Sequence, residues 1–203
     1  MCYGTFCESV LSRSSVPVAF TPLTPNLGEK RDGSNSFTYL RFLVPYLMGY
    51  QGWAIYADGD MVCLADIAEL WNLQDPGEAV MVVKHDYKTK HATKYLGNVN
   101  QDYPRKNWSS VILWNCGHPS NRELTPASIA KADGAYLHRF QWLDEIGELP
   151  LEWNHLVSEY PVNPEAKLLH YTIGSPCFPE YATGEYAGEW HNERTRSQIP
   201  CAI

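Results

Sequence analysis

Asp58 and Asp60 stand one residue apart, directly after the apolar or small run Trp53-Ala54-Ile55-Tyr56-Ala57. An Asp-x-Asp pair on the rigid end of a strand offers hard oxygen ligands. Mg²⁺ and Mn²⁺ take a few such ligands and share their remaining positions with phosphate and water. Gly59 between the acids lets the backbone turn and approach a ligand closely. The same tripeptide also serves as an ordinary turn with both acids in water, and the residues alone leave the two readings open. His170 lies in the stretch LLHYTIGSP, after a short apolar run. An imidazole is an acceptable third ligand for Mn²⁺, although a lone histidine after a strand more often serves structure. Backbone N–H groups of Gly174 and Ser175, in the turn behind it, could face a phosphate.

These side chains need elements to place them. Residues 53–57, 79–83, 111–114 and 168–169 read as buried strands, and residues 16–22 as a strand ending at Pro22. Phe37, Leu40, Val44, Leu47 and Met48 fall at helical spacing, with Ser34 or Ser36 as cap, and Pro45 should kink or end the first half of that helix. Residues 3–12 look like a first helix and 65–71 like a short one. Thr125-Pro126 is a helix start, with threonine as cap and proline at the first helical position. Residues 133–145 carry Tyr136, Leu137, Phe140 and Leu143 at helical spacing. Residues 24–35 and 87–107 read as loops, and nothing after Glu180 shows a usable pattern. Strands alternating with helices predict an α/β fold with a mostly parallel sheet. Ligands gather at the carboxyl ends of such strands, where Asp58, Lys84 and His170 all fall.

Of 203 residues, 44% are hydrophobic and 13% aromatic, which is a globular composition, and residues 1–203 read as one domain. The apolar runs are far shorter than the roughly 18 residues of a membrane span. The net charge of −7, with no basic run, argues against non-specific nucleic-acid binding. Six scattered cysteines without a CxxC pair, and an N-terminus without a secretory pattern, point to reduced thiols in a cytoplasm. Cys63 and Cys116 read as small buried hydrophobes.

The order of motifs SFTYLRFLVPYL, WAIYADGDMVCLADIAELW, WSSVILWNCG, LPLEWN and LLHYTIGSP resembles glycosyltransferase family 8, over residues 16–178. The segments Arg105–Ser110 and Phe140–Leu143 are similar to those of a small bacterial and phage group of glycosyltransferases. The resemblance implies a single-domain GT-A (Rossmann-like) nucleotide-sugar-binding fold that lacks the usual N-terminal strand. It implies that Asp58, Asp60 and His170 hold Mn²⁺ or Mg²⁺ against the diphosphate of a UDP-sugar, with Asp58 also near the ribose or sugar. Tyr39, Arg41, Gly59, Lys84, Ser109, Ser110, Asn115, Gly174 and Ser175 would face the donor, and Gln141 and Asp144 the reactive side of its sugar. It further implies transfer of a hexose, glucose or galactose, with retention of anomeric configuration. The acceptor is open: a glycan, lipid, protein or small molecule. With no carboxylate clearly poised as nucleophile, a front-face route is preferred to a covalent intermediate on Asp144.

Three departures stand out. The chain opens at the first helix. The family's phosphate-binding lysine after the histidine has no counterpart, with Ser175 in effect replacing it, so that Lys84 or Lys167 would have to compensate. Trp108 stands where an asparagine usually meets the sugar. Lys84-His85-Asp86 either contacts donor or acceptor or leaves the strand into water. Trp108 and Tyr103 are candidates for stacking an acceptor, the other tryptophans for core and rim, and His138, His155 and His191 for structural or exposed positions. A UDP-sugar-binding or weakly hydrolytic domain is the alternative function, and homodimerisation would cover a trimmed sheet.

Overall fold

A computed structural model describes residues 2–24 and 38–198. The expected loop from 25 onward, the caps Ser34 and Ser36, Phe37 and Cys201 lie outside the described residues.

A four-stranded sheet, ordered β1 (Trp53–Ala57), β6 (Val111–Asn115), β3 (Val80–Val82) and β7 (Gly147–Glu148), forms the centre. In β3 and β6, alternate side chains point to opposite faces. Met81, Leu113 and Val111 join one core with Phe6, Val10, Leu70 and Trp153. Val80, Val82, Ile112 and Trp114 join another with Phe42, Leu124, Leu137 and Phe140. Covering on both faces explains why these strands read as unbroken apolar runs. Strand β1 is the edge of the order and only half-buried, not the buried strand expected.

The second sheet, β2 (Met61–Cys63), β9 (Leu168–His170) and β8 (His155–Leu156), packs below α1 (Cys2–Leu11) and α6 (Ala187–Ser197). Helix α1 buries Thr5, Phe6, Ser9 and Val10, and Ser9 Oγ accepts from Cys63 N at 2.9 Å, tying helix to strand.

Several expectations need correction. The α/β class stands, but the sheets are mixed: β1/β6, β3/β6 and β2/β9 run antiparallel, while β3/β7 and β8/β9 run parallel. A buried run records two covered faces and carries no information on strand direction. Residues 16–24 form no strand, because Pro17 and Pro22 have no N–H to donate to a ladder. Their Val18 and Phe20 still pack on the first core. The helix expected over 36–50 is a 3₁₀ turn (Leu40–Leu43) followed by α2 (Val44–Leu47), with Pro45 in its first turn, and Leu47 and Met48 are exposed. The expected helix over 133–145 stops early: α5 (Gly134–His138) ends because Phe140 is left-handed at φ 52°. Phe140 is nevertheless fully buried. Helix α6, unreadable in the sequence, buries Ala187, Trp190 and Glu193 at three-residue spacing.

Helix α3 (Ile67–Trp71) is capped by Asp66, which accepts from Ala68 N, and α4 (Pro126–Lys131) carries a capping box of Thr125 and Ser128. Within 87–107 a short ladder joins β4 (Thr93–Lys94) to β5 (Asn98–Val99). Among the described residues no helix is long and apolar enough to cross a membrane.

Candidate active site

The acidic turn lies where the chain passes from one sheet to the other. Asp58 closes the first sheet by donating its N–H to Ser110 O at 3.0 Å. Two residues on, Asp60 O accepts from Tyr171 N at 3.1 Å, and β2 pairs with β9 so that Met61 faces His170. The crossing brings Asp58, Asp60 and His170 together, each offering one ligand atom within 4.8 Å of the others. His170 Nε2 lies 3.5 Å from Asp60 Oδ1.

The two carboxylates differ in their partners. Arg41 reaches Asp58 through Nη2 at 3.0 Å and Nη1 at 3.3 Å, and Tyr56 OH donates to Asp58 Oδ1 at 2.7 Å. Arg41 is itself fixed by Nε donating to Thr38 O at 2.9 Å and Nη1 to Ser109 O at 2.6 Å. Its guanidinium lies over the Tyr56 ring at 5.0 Å. Burial and the neighbouring acids push the Tyr56 hydroxyl well above its ordinary range. Among the described residues Asp60 has no guanidinium at ion-pair distance; the His170 ring is its polar neighbour. Desolvation raises its carboxyl above the usual range, Asp58 adds to this, and His170 and Arg41 oppose it. Two crowded carboxylates and an imidazole nitrogen form an oxygen-rich donor set that suits a hard divalent cation.

Around this cluster the candidate residues fall unevenly. Lys84 sits at the same sheet edge as Asp58, because Val82 pairs with Ile112 and Ile112 with Tyr56. Its Nζ is 3.9 Å from Glu148. Ser109 and Ser110 are buried, with their carbonyls holding Arg41 and Asp58 and their hydroxyls engaged by His138 at 2.7 Å and Asn107 O at 2.6 Å. Asn115 is not brought to the cluster: it pairs with Trp53, at the far end of β1, about 17 Å of strand from Asp58. It donates instead to Pro76 O and Glu78 O.

Gly174 follows β9, where a side chain would strike the Tyr181 ring; Ser175 is buried, its hydroxyl 3.3 Å from the Cys2 thiol and 3.0 Å from that of Cys177. Tyr39 is half-buried in the second core. Gln141 lines a cavity of about 510 Å³ with Arg105, Arg139 and Leu143; a neighbouring one of about 210 Å³ is lined by Tyr103, Gly134, Ala135, His138 and Arg139. Asp144 is exposed and lines neither. The Trp108 ring carries the Arg105 guanidinium at 5.3 Å, and its Nε1 donates to His85 O.

Sequence reasoning missed Tyr56 as a partner of Asp58, and it treated His138 as structural or exposed. His138 is half-buried against Ser109. Burial lowers its pKa to about 4, with Arg41 acting in the same direction and Asp58 against it. The native imidazole is therefore neutral where the unfolded one, at 6.5, takes up a proton. This contribution to stability is complete above pH 6.5 and is lost as pH falls toward about 4. Thermal unfolding across that window should show a steeper decline for wild type than for His138→Gln; parallel curves would refute it.

The model of glycosyl transferase family 8 matches residues 11–118. "Protein CDI" of Arabidopsis thaliana is 43% identical over 209 residues, covering 95% of this chain and 81% of the relative. The solved structure of the WbbM bifunctional glycosyltransferase aligns with a TM-score of 0.54 at 14% identity, over 95% of this chain; the chain spans about half (49%) of WbbM. LgtC, in the form of its Q189E active-site mutant, aligns with a TM-score of 0.53 at 12% identity, covering 87% of this chain and 75% of LgtC. GlyE from Streptococcus pneumoniae TIGR4 aligns with a TM-score of 0.51 at 15% identity, over 82% of this chain and 45% of GlyE. At these identities the structural likeness carries the fold, which is that of the GT-A glycosyltransferases.

Proposed function

The chain belongs to glycosyl transferase family 8, and from that footing we propose that it is a metal-dependent glycosyltransferase that moves a hexose, glucose or galactose, from a UDP-sugar to an acceptor with retention of configuration. The observation that supports this reading is the Asp58, Asp60 and His170 cluster at the junction of the two sheets. The reading includes residues 1–203 as one minimal transferase domain in the cytoplasm.

In this reading Asp58, Asp60 and His170 would hold Mn²⁺ or Mg²⁺, which would supply positive charge to stabilise the leaving diphosphate. The sugar–phosphate bond breaks, a bond from the acceptor oxygen to the same anomeric carbon forms on the same face, and the acceptor proton passes to the departing diphosphate. Arg41 holds the Asp58 carboxylate in place through both Nη atoms. Gly174 and Ser175, which follow His170 by four and five residues, would face the phosphates, and Lys84 would add a positive charge at the end of β3. Gln141, with Arg105 and Arg139, would line the sugar and acceptor side. A front-face route is preferred to a covalent intermediate on Asp144, and trapping a glycosyl adduct on Asp144 would overturn that preference.

Calorimetric titration of UDP with and without Mn²⁺ tests the donor site. UDP release from UDP-glucose and UDP-galactose, with and without a panel of sugar, lipid and protein acceptors, tests transfer. Mn²⁺-dependent binding together with acceptor-stimulated release is the expected result. Binding without any stimulation would favour a UDP-sugar-binding domain, and no binding in either condition would reduce the likeness to one of fold.

A further inference from the structure

His170 is 3% exposed, and each of its ring nitrogens has a polar neighbour. Nε2 faces Asp60, and Nδ1 lies 3.1 Å from Asn154 Oδ1. Asn154 is fully buried in the 3₁₀ turn Leu151–Asn154, immediately before β8, which runs beside β9. Its amide orientation can be deduced from its other contacts. Asn107 O, 3.3 Å away, is a carbonyl and can only accept, so the atom facing it is Nδ2. Ser110 Oγ spends its own hydrogen on Asn107 O at 2.6 Å, which leaves it to accept from Asn154 Nδ2 at 2.8 Å. The atom left for His170 is therefore Oδ1, which accepts only. Nδ1 must then carry the hydrogen, and a neutral His170 holds its free lone pair on Nε2, toward the acidic turn.

We propose that Asn154 is a positioning residue: its amide oxygen fixes the Nδ1–H tautomer of His170 and so presents Nε2 as a ligand toward Asp58 and Asp60. A polar partner on the far nitrogen is how ligating histidines are oriented and made more basic. The chain of contacts also runs through Ser110, whose carbonyl holds Asp58, so one network spans both sides of the turn. The tautomer follows from hydrogen bonding alone. Its consequence for metal affinity rests on the proposed function.

The test uses the full chain, free of metal, at pH 8.5, above the ordinary imidazole range. Long-range ¹H–¹⁵N correlation of labelled histidine, with His170 assigned from its absence in His170→Gln, should show a protonated Nδ1 and a bare Nε2. A protonated Nε2 in wild type overturns the proposal without any variant. Asn154→Leu, similar in size, removes the acceptor while leaving the Ser110–Asn107 bond in place. It should shift His170 toward the Nε2–H form and weaken Mn²⁺ binding, read by electron paramagnetic resonance of free Mn²⁺, by about 10- to 100-fold. Asn154→Asp keeps an acceptor and should keep the wild-type tautomer. Unchanged tautomer and unchanged Mn²⁺ affinity in folded Asn154→Leu would also overturn it. If Asn154→Leu does not fold, the wild-type spectrum decides. If wild type binds no Mn²⁺, the metal reading fails, and the spectrum still decides the role of Asn154.

Discussion

Asp60→Ala should abolish Mn²⁺-dependent binding of UDP and lower kcat/KM for UDP release by about 10³-fold or more. The metal's charge stabilisation is worth several kcal/mol, and each 1.4 kcal/mol or so is tenfold in rate. Asp60 is the sharper probe of the two acids. Asp58 is already balanced by Arg41 and bonded to Tyr56, so removing it damages the fold as well as the site. The Asp60 side chain, a third exposed (33%), has His170 Nε2 at 3.5 Å, and it is the backbone carbonyl that receives Tyr171 N. Its carboxyl is held above the usual range by desolvation and by Asp58. A carboxyl with a raised native pKa opposes folding once it ionises. The metal-free variant should therefore be as stable as wild type or more so, while binding is lost. Wild-type calorimetry of UDP and Mn²⁺ in Asp60→Ala would sink the assignment.

Arg41→Met should lower stability by about 3–5 kcal/mol, because it strands a charge whose partner is gone. For a chain of this size that is a drop in melting temperature of roughly 6–20 °C. Arg41 is 8% exposed and Asp58 20%, and the guanidinium also caps the carbonyls of Thr38 and Ser109. Lysine cannot supply that fork, so Arg41→Lys should recover only part of the loss. Adding Asp58→Asn to Arg41→Met removes the orphaned charge and should restore some stability. A loss below about 1 kcal/mol in Arg41→Met would show that the pair behaves as a solvated surface bridge.

The parts legible in the sequence were those with a local signature. Strands β3 and β6 are covered on both faces, so their apolar runs were unmistakable, and the acids stood out because they interrupt such a run. His170 was legible for the same reason, as the polar end of Leu168-Leu169. What failed depended on partners far along the chain. Asn115 looked like a site residue because a strand's two ends cannot be told apart without its register. Strand direction was lost for the same reason. Helix α6 hid because only Ala187, Trp190 and Glu193 face inward, and one of those is charged. The helix at 133–145 was overcounted because Leu137 and Phe140 are both buried at helical spacing, yet Phe140 is itself left-handed and ends the helix. The role inferred for Asn154 could not be read from LPLEWN, since its partners lie 16, 44 and 47 positions away.

The crossing at Gly59 has a consequence for cooperativity. Asp58 is carried by one hydrogen-bonded ladder, and Asp60 and His170 by the other. A ligand that engages all three is linked to the opening of both ladders at once, because it stabilises only the state in which both are closed. Without it each ladder can open with its own free energy; with it the amides of Ile112 and Leu169, on different sheets, become members of one exchange unit and slow together. The turn is then a seam through which occupancy of a small site is felt as the integrity of the whole sheet assembly.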